Sequence, residues 1–429
     1  TAVGARRGYT RSHDVDFLKQ IYSGDGNPDV TDTPANGFYT TDEFIDLIRT
    51  ADSLGIEIIP EFDAPGHTRA AIRAMEARRR HTGDDSMRLI HDGDTSVYNS
   101  AQDYHDNVLN PALEGPYRFW GAVMDGTAEL FRRAGVPLRT IHIGGDEVPR
   151  RCWDGSSVAR EFMERHGMKS QSELHAYFVG RLSRMAADRG LSIAGWQEVA
   201  VGHSEAYTDS VRPTVRAVNC WLHAGDTGRR IAEMGYPLIL SNVNYLYFDQ
   251  TPTTHPEEPG LTWGGLVDEF RPLHATRKLL CDADPETLKN VRGISCHLFA
   301  ETVRSPQMVQ RYFLPRLLGA AERAHHAEAT ISDEEYFGSI TAEMPRWDSL
   351  GLDHLMRQPG LRLREDGLVE MNSAYGDGYG TIRYTLDGSD PTEESPAYTT
   401  PLKPAGASQI RARLFAGPHA RSVVSILYL

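Results

Sequence analysis

No stretch of these 429 residues stays apolar for the ~18 residues that a helix needs to cross a bilayer, so no membrane-spanning helix is expected. Cysteine is scarce: Cys152, Cys220, Cys281 and Cys296 show no Cys-x-x-Cys spacing, which argues against a zinc site and a disulfide scaffold and leaves buried free thiols as the expectation. No Gly-x-x-x-x-Gly-Lys-Ser/Thr or Gly-x-Gly-x-x-Gly element occurs, so the usual phosphate cradles are missing. There is no Asn-x-Ser/Thr acceptor and no signal peptide, and the first residue is Thr1, not an initiator methionine. Positive charge is in deficit. With 45 Lys and Arg against 59 Asp and Glu, the net charge of −14 argues against nucleic acid or anionic lipid as partner.

Thr140-Ile-His-Ile-Gly-Gly-Asp146-Glu147 stands out. A short apolar run ends in two glycines and two adjacent carboxylates, as a buried strand delivering acids to the mouth of a pocket would. Three explanations compete. Acids at a strand end are commonly solvated or cap the next helix. Asp-Glu after an apolar strand also accompanies nucleotide chemistry, and Gly-Gly-Asp-Glu opens the signature of cyclic-dinucleotide cyclases, but Val148-Pro149 follows here where Phe is expected. The third explanation is glycoside hydrolysis, which needs two carboxylates with different tasks at one anomeric carbon.

The remaining segments give these acids a setting. Residues 1–36 are polar and turn-rich, an extended surface loop. Thr40-x-x-Glu43 is a capping box opening a helix with Phe44, Ile48 and Ala51 on one face. Strands are expected at 56–63, 140–145, 191–196, 215–221, 237–241 and 291–298. Helices are expected after Ala64-Pro65-Gly66-His67 through Arg80, at 117–134, 172–188 and 227–234, from Pro285, and at 308–325. This alternation predicts a parallel α/β sheet, a (β/α)8 TIM-type barrel of which about six strands are countable. After residue 357 the composition changes to short strands at 361–363, 381–386, 410–415 and 422–429, predicting a small C-terminal antiparallel β-sandwich over 358–429.

In such barrels chemistry sits at the carboxyl ends of the strands. Asp63 and His67 follow one strand, Asp146 and Glu147 the next, then Trp196 with Glu198, and Trp221. Tyr245, Tyr247, Asp249 and Trp263 follow the fifth, Phe299 and Glu301 the sixth. Acids and large aromatics recurring at one end describe a pocket suited to a sugar, whose ring faces stack on aromatics and whose hydroxyls bond to acids.

These residues carry a resemblance. The octet ending in Asp146-Glu147, Ile58-Ile-Pro-Glu-Phe-Asp63-Ala-Pro-Gly-His67, Gly195-Trp-Gln-Glu198, Leu261-Thr-Trp-Gly264 and Ser241-Asn242 with Tyr245-x-Tyr247-x-Asp249 are similar to the motifs of family 20 β-N-acetylhexosaminidases, bacterial chitobiases among them. Arg11-Ser-His-Asp14 and the segment 381–392 resemble chitobiase as well. The resemblance implies a retaining, exo-acting enzyme in which the substrate's own 2-acetamido oxygen attacks the anomeric carbon, an exception to the two-carboxylate scheme. It implies that Glu147 protonates the leaving oxygen while Asp146 holds the acetamido N–H, a division that an extended chain would support by pointing neighbouring side chains apart.

It further implies that His67 with Asp63 supports the acid, that Trp196 and Trp221 wall the acetamido pocket, and that Trp263 offers an aromatic face. Tyr247 would bond the acetamido oxygen beside Asp249, and Glu301 would bind sugar hydroxyls. Gly144 and Gly145 would remove side chains where the sugar comes close. Phe299 stands where the family places Trp, and this favours a second reading, a catalytically impaired sugar-binding relative; a structural protein reusing the fold is a third. The partner expected is an oligosaccharide or glycan ending in N-acetylhexosamine, with no cofactor, no metal, and no nucleic acid or membrane span. By the same analogy the location is periplasmic or secreted. The family's first two barrel strands are expected ahead of residue 1, in a missing N-terminal segment or companion chain, since an open parallel sheet exposes edges that proteins avoid.

Overall fold

The computed structural model describes residues 39–222, 224–277, 281–328, 330–376 and 378–429; the surface loop expected at 1–36 lies outside them. The chain divides into two compact units. Among the described residues one comprises 39–240 with 281–293, the other 241–277 with 294–429.

In the first unit α1 (Thr41–Ser53) begins at the expected capping box. The Glu43 carboxylate accepts from the Thr40 N–H at 2.7 Å, and the Thr40 hydroxyl accepts from the Glu43 N–H at 3.3 Å. It buries Ile45, Ile48 and Ala51, so Ile48 and Ala51 face inward as expected, while Ile45 is buried and Phe44 only partly so. The expected strand at 56–63 is reduced to a single parallel bridge, Glu61 to His142. Pro60 has no N–H to add to the ladder, although its carbonyl accepts from His142 and the Phe62 N–H donates to the His142 carbonyl.

Past α2 (Arg69–Thr82), α3 (Gly115–Ala134) places Tyr117, Trp120, Met124, Thr127 and Phe131 on its buried face, at spacings of three and four. Each large side chain there contributes about 1.5–3 kcal/mol by leaving water, and Trp120→Ala would cost ~3–5 kcal/mol. Gly135, at φ 79°, ends the helix. The parallel sheet follows in simple order: β1 (Thr140–His142), β2 (Ser192–Trp196), β3 (Val215–Cys220), β4 (Leu238–Leu240) and β5 (Val291–Ile294). Between the strands run α4 (Ser157–Arg165), α5 (Gln171–Ala187), α6 (Glu205–Val211) and α7 (Ala224–Glu233). β1 is buried along its length, in register with β2 through Ile141 and Ile193. The helix expected from Pro285 is one 3-10 turn, Thr287–Asn290.

The second unit opens with the short α8 (Val243–Leu246) and a parallel bridge between Tyr247 and His297. The single helix expected at 308–325 is two, α9 (Pro306–Phe313) and α10 (Arg316–His325), separated at Pro315, which can neither donate nor continue the first helix. α11 (Asp333–Ser349) was not expected, although Ser332 and Glu335 close a second capping box.

Two antiparallel sheets complete the C-terminal domain. One is the pair β6 (Gly360–Leu363) and β7 (Val369–Asn372). The other is built on β9 (Gln409–Ala416), flanked by β8 (Thr381–Thr385), β10 (Ala420–Arg421) and β11 (Ser425–Tyr428). β9 alternates as its sequence does: Ile410, Ala412 and Leu414 join a core with Tyr336, Ile340, Met344 and Trp347 of α11. No helix among the described residues is long and apolar enough to cross a membrane. All four cysteines are free, and three are buried.

Candidate active site

The site residues expected from sequence divide between the two units. In the first, β1 runs into a tight turn with Gly144 at φ 69°, Gly145 at φ 99° and Glu147 at φ 48°. The glycines serve the protein's own packing. A Cβ on Gly144 would lie 1.6 Å from Asp63 Oδ1, and one on Gly145 would lie 2.7 Å from a Val199 methyl. The backbone at Asp146-Glu147 is not the extended chain that would send the two acids apart. The left-handed turn at Glu147 leaves both carboxylates on His67, whose Nε2 lies 3.4 Å from Asp146 Oδ2 and 3.3 Å from Glu147 Oε2. Gln102 donates to Glu147 Oε2 at 3.1 Å, a contact 45 positions away for which the sequence has no signal.

Charge is arranged around that imidazole. Burial works against a charged His67, but its bonds to Asp146 and Glu147 outweigh this and raise its pKa to about 11, so it is an imidazolium at neutral pH. Asp63 accepts the Gly145 N–H at 3.2 Å. Burial first, then the Asp146 charge, pushes its carboxyl well above the ordinary range, which favours a proton there. Asp63, His67 and Asp146 each offer one ligand atom within 4.8 Å of the others, close enough to hold a metal ion. The imidazolium already supplies positive charge at that point. Asp146 Oδ1 is buried and has no hydrogen-bond partner among the described residues.

Two tryptophans stand at the next strand ends, both buried. The Trp196 indole donates to Glu61 Oε1 at 3.0 Å and meets His142 edge-on at 5.3 Å. Trp221 donates from its indole to Glu198 Oε2 at 3.3 Å. Glu61 and Glu198 belong to the motifs noted above, yet neither carried an expected role.

In the second unit Tyr247 gathers the aromatics: Trp263 at 6.0 Å, His297 at 4.9 Å and Phe299 at 5.3 Å between ring centroids. Tyr247 is buried, while Trp263 and Phe299 are 46% and 38% exposed, large rings with a face to offer. Asp249, two residues on, accepts from Gln250 Nε2 at 3.1 Å. Burial, then the charge of Glu301, lifts its pKa to about 7.

Within the first unit alone, two paired acids clasping an imidazolium beside buried indoles suit a carbohydrate site. Sequence comparison gives that a family. The model of "Glycosyl hydrolase family 20, catalytic domain" matches residues 3–328, and "Chitobiase/beta-hexosaminidase C-terminal domain" matches 360–425. The chain belongs to glycosyl hydrolase family 20. Beta-hexosaminidase B of Pseudoalteromonas piscicida is 32% identical to this family 20 chain over 364 residues, covering 76% of the chain and 45% of that protein. N,N'-diacetylchitobiase of Vibrio harveyi is 26% identical over 474 residues, covering 91% and 52%. The crystal structure of the family 20 exo beta-N-acetylglucosaminidase of Vibrio harveyi with N-acetylglucosamine superimposes with a TM-score of 0.64 at 30% identity, over 74% of this chain and 46% of that one. The fold is thus the (β/α) barrel of family 20 followed by a small β domain. The chain spans about half the length of these relatives.

Proposed function

We propose that the chain is the catalytic portion of a retaining exo-β-N-acetylhexosaminidase that releases terminal β-linked N-acetylglucosamine by substrate-assisted catalysis. The observation that carries this reading is the single imidazolium, His67, held between Asp146 and Glu147. It keeps the two acids in one place while their second oxygens remain for different tasks. Glu147 gives a proton to the leaving oxygen. Asp146, through its unpartnered Oδ1, takes the acetamido N–H and steers that group's carbonyl oxygen onto the anomeric carbon. Asp63 sets the turn through the Gly145 N–H. By the resemblance, Trp196 and Trp221 serve as apolar walls; of the second unit's residues, Trp263 and Phe299 serve as ring faces, Tyr247 as the partner of the acetamido oxygen, and Asp249 and Glu301 as partners of sugar hydroxyls.

The catalytic domain runs to residue 357 and the C-terminal domain over 358–429, a division that the two family matches support. A periplasmic or secreted location follows the same analogy. Intact mass and N-terminal sequencing of active material test whether residues beyond these 429 contribute.

The deciding experiment is hydrolysis of p-nitrophenyl N-acetyl-β-D-glucosaminide, with the N-acetylgalactosaminide alongside. On substrates whose leaving group needs protonation, such as an N-acetylglucosamine disaccharide, Glu147→Gln should lower turnover by about 10²-fold or more, since positioned proton transfer supplies roughly that factor, with binding little changed. Equal rates for wild type and variant would remove Glu147 from its role. The half-exposed Phe299 motivates the alternative of an impaired sugar-binding relative, which predicts N-acetylglucosamine binding without wild-type turnover.

A further inference from the structure

We propose that Gln197 and Glu198, the two residues following β2, act together as a clamp on Trp221 and so set how closely the site discriminates the substrate's 2-acyl group. The inference rests on the hexosaminidase reading and adds two positioning residues to it. Gln197 is buried, and its Oε1 accepts from the backbone N–H of Trp221 at 3.1 Å and of Leu222 at 3.0 Å. Glu198 takes the indole N–H at the far edge of the same side chain. One residue therefore fixes where the tryptophan is rooted, and the next fixes how its ring is turned. An indole has two side-chain torsions, and a wall can reject an oversized group only if both are held.

The clamp is itself anchored. The Glu198 carbonyl accepts from His203 Nε2 at 2.8 Å, and the Val199 carbonyl from the Tyr207 hydroxyl at 2.7 Å. It is also tied to the acids. A Cβ on Gly195 would strike a Val199 methyl at 2.5 Å and the Gly144 carbonyl at 3.0 Å, and the Trp196 N–H donates to that carbonyl at 2.8 Å. The turn bearing the clamp and the turn bearing Asp146-Glu147 are thus in backbone contact.

Glu198 also bears on charge. Burial, then the Asp146 charge, with Glu147 adding, raises its pKa to about 7. Cys220 nearby has a thiol pushed up to about 12, and burial lowers the pKa of His203.

The test compares wild type, Glu198→Ala, Glu198→Gln and Gln197→Ala on p-nitrophenyl glycosides of N-acetyl- and N-propionylglucosamine. A pocket that senses one methylene discriminates roughly 10- to 200-fold. Glu198→Ala and Gln197→Ala should lose most of that ratio. Glu198→Gln, whose amide oxygen still accepts the indole N–H, should keep it. Calorimetric binding of the two free sugars gives the same ratio if the chain does not turn over. Wild type inactive on both glycosides overturns the enzymatic reading alone. An undiminished ratio in Glu198→Ala and Gln197→Ala overturns the clamp, as does a lost ratio in Glu198→Gln, which keeps the acceptor for the indole N–H. Should the alanine variants fail to fold, Trp221→Phe, which keeps a ring but lacks the donor, must lose the ratio; if it does not, the clamp is refuted.

Discussion

Gly144→Ala puts the packing of the acid turn to the test. The new Cβ would lie 1.6 Å from Asp63 Oδ1, 2.2 Å from Cγ and 2.7 Å from Cα, so Asp63 must move bodily. Alanine at φ 69° costs about 1–2 kcal/mol in backbone strain. Displacing Asp63 breaks its bond with the Gly145 N–H inside a packed turn, a further ~1–3 kcal/mol. The expected destabilisation is therefore about 2–5 kcal/mol. Turnover should fall further, because a misplacement of ~1 Å at reacting groups costs on the order of 10²-fold. Gly167→Ala is the control: its φ is 65°, and its Cβ would meet nothing within 4 Å, so it carries the strain without the collision. Thermal melting and kcat/KM on the p-nitrophenyl glucosaminide should show Gly144→Ala melting several degrees below Gly167→Ala, at roughly 2–4 °C per kcal/mol, and nearly inactive. Equal melting points and wild-type kcat/KM would show that Asp63 does not occupy the space that Gly144 leaves.

Further outcomes follow from other contacts. The pKa of His67, about 11, lies above the ordinary 6.5, so its stabilising contribution is complete below pH 6.5 and lost as pH rises towards 11; urea titrations should show stability declining across that window in wild type and a flatter decline in His67→Gln, and parallel curves would refute the pairing. Arg316 is fully buried and donates to the carbonyls of Tyr312, Gln250 and Val267 at 2.9–3.0 Å. At about 1–3 kcal/mol for each orphaned carbonyl, Arg316→Met should cost at least ~3 kcal/mol by urea denaturation, while the exposed Arg132→Met should stay within ~0.5 kcal/mol. A thiazoline mimic of the cyclised intermediate should inhibit far more strongly than N-acetylglucosamine, and parity between them would argue against substrate assistance.

Local signals were legible wherever the physics was local. The Thr40 and Glu43 side chains cap α1 because the box needs only four consecutive residues, and Ser332 with Glu335 carries the same local signal for α11. β9 alternates because one of its faces is buried. Pro315, by contrast, lay inside an apolar pattern that continues on both sides of it, and the periodicity concealed the break. On α1 Ile45 is buried and Phe44 only partly so, which periodicity alone cannot resolve. Gln102 reaches Glu147 through a loop contact that has no period at all.

The acid pair shows where reasoning from sequence reaches its limit. Two adjacent carboxylates after a strand suggest divergent side chains, since successive residues of an extended chain alternate. The chain here is not extended: Gly144, Gly145 and Glu147 all have positive φ, and His67, at φ 53°, is the second non-glycine at the site in that region. Each such residue stores backbone strain of order 1–3 kcal/mol, sustained only where surrounding contacts over-determine it. Those contacts are on hand: Asp63 against Gly144, Val199 against Gly145, and the Gly66 backbone so close to the Asp146 carbonyl that a Cβ would meet it at 3.0 Å. The proposed division of labour between Asp146 and Glu147 therefore does not rest on strand geometry. It comes from a strained turn that brings one oxygen of each acid to a shared imidazolium, so that relaxing the turn should impair both acids together.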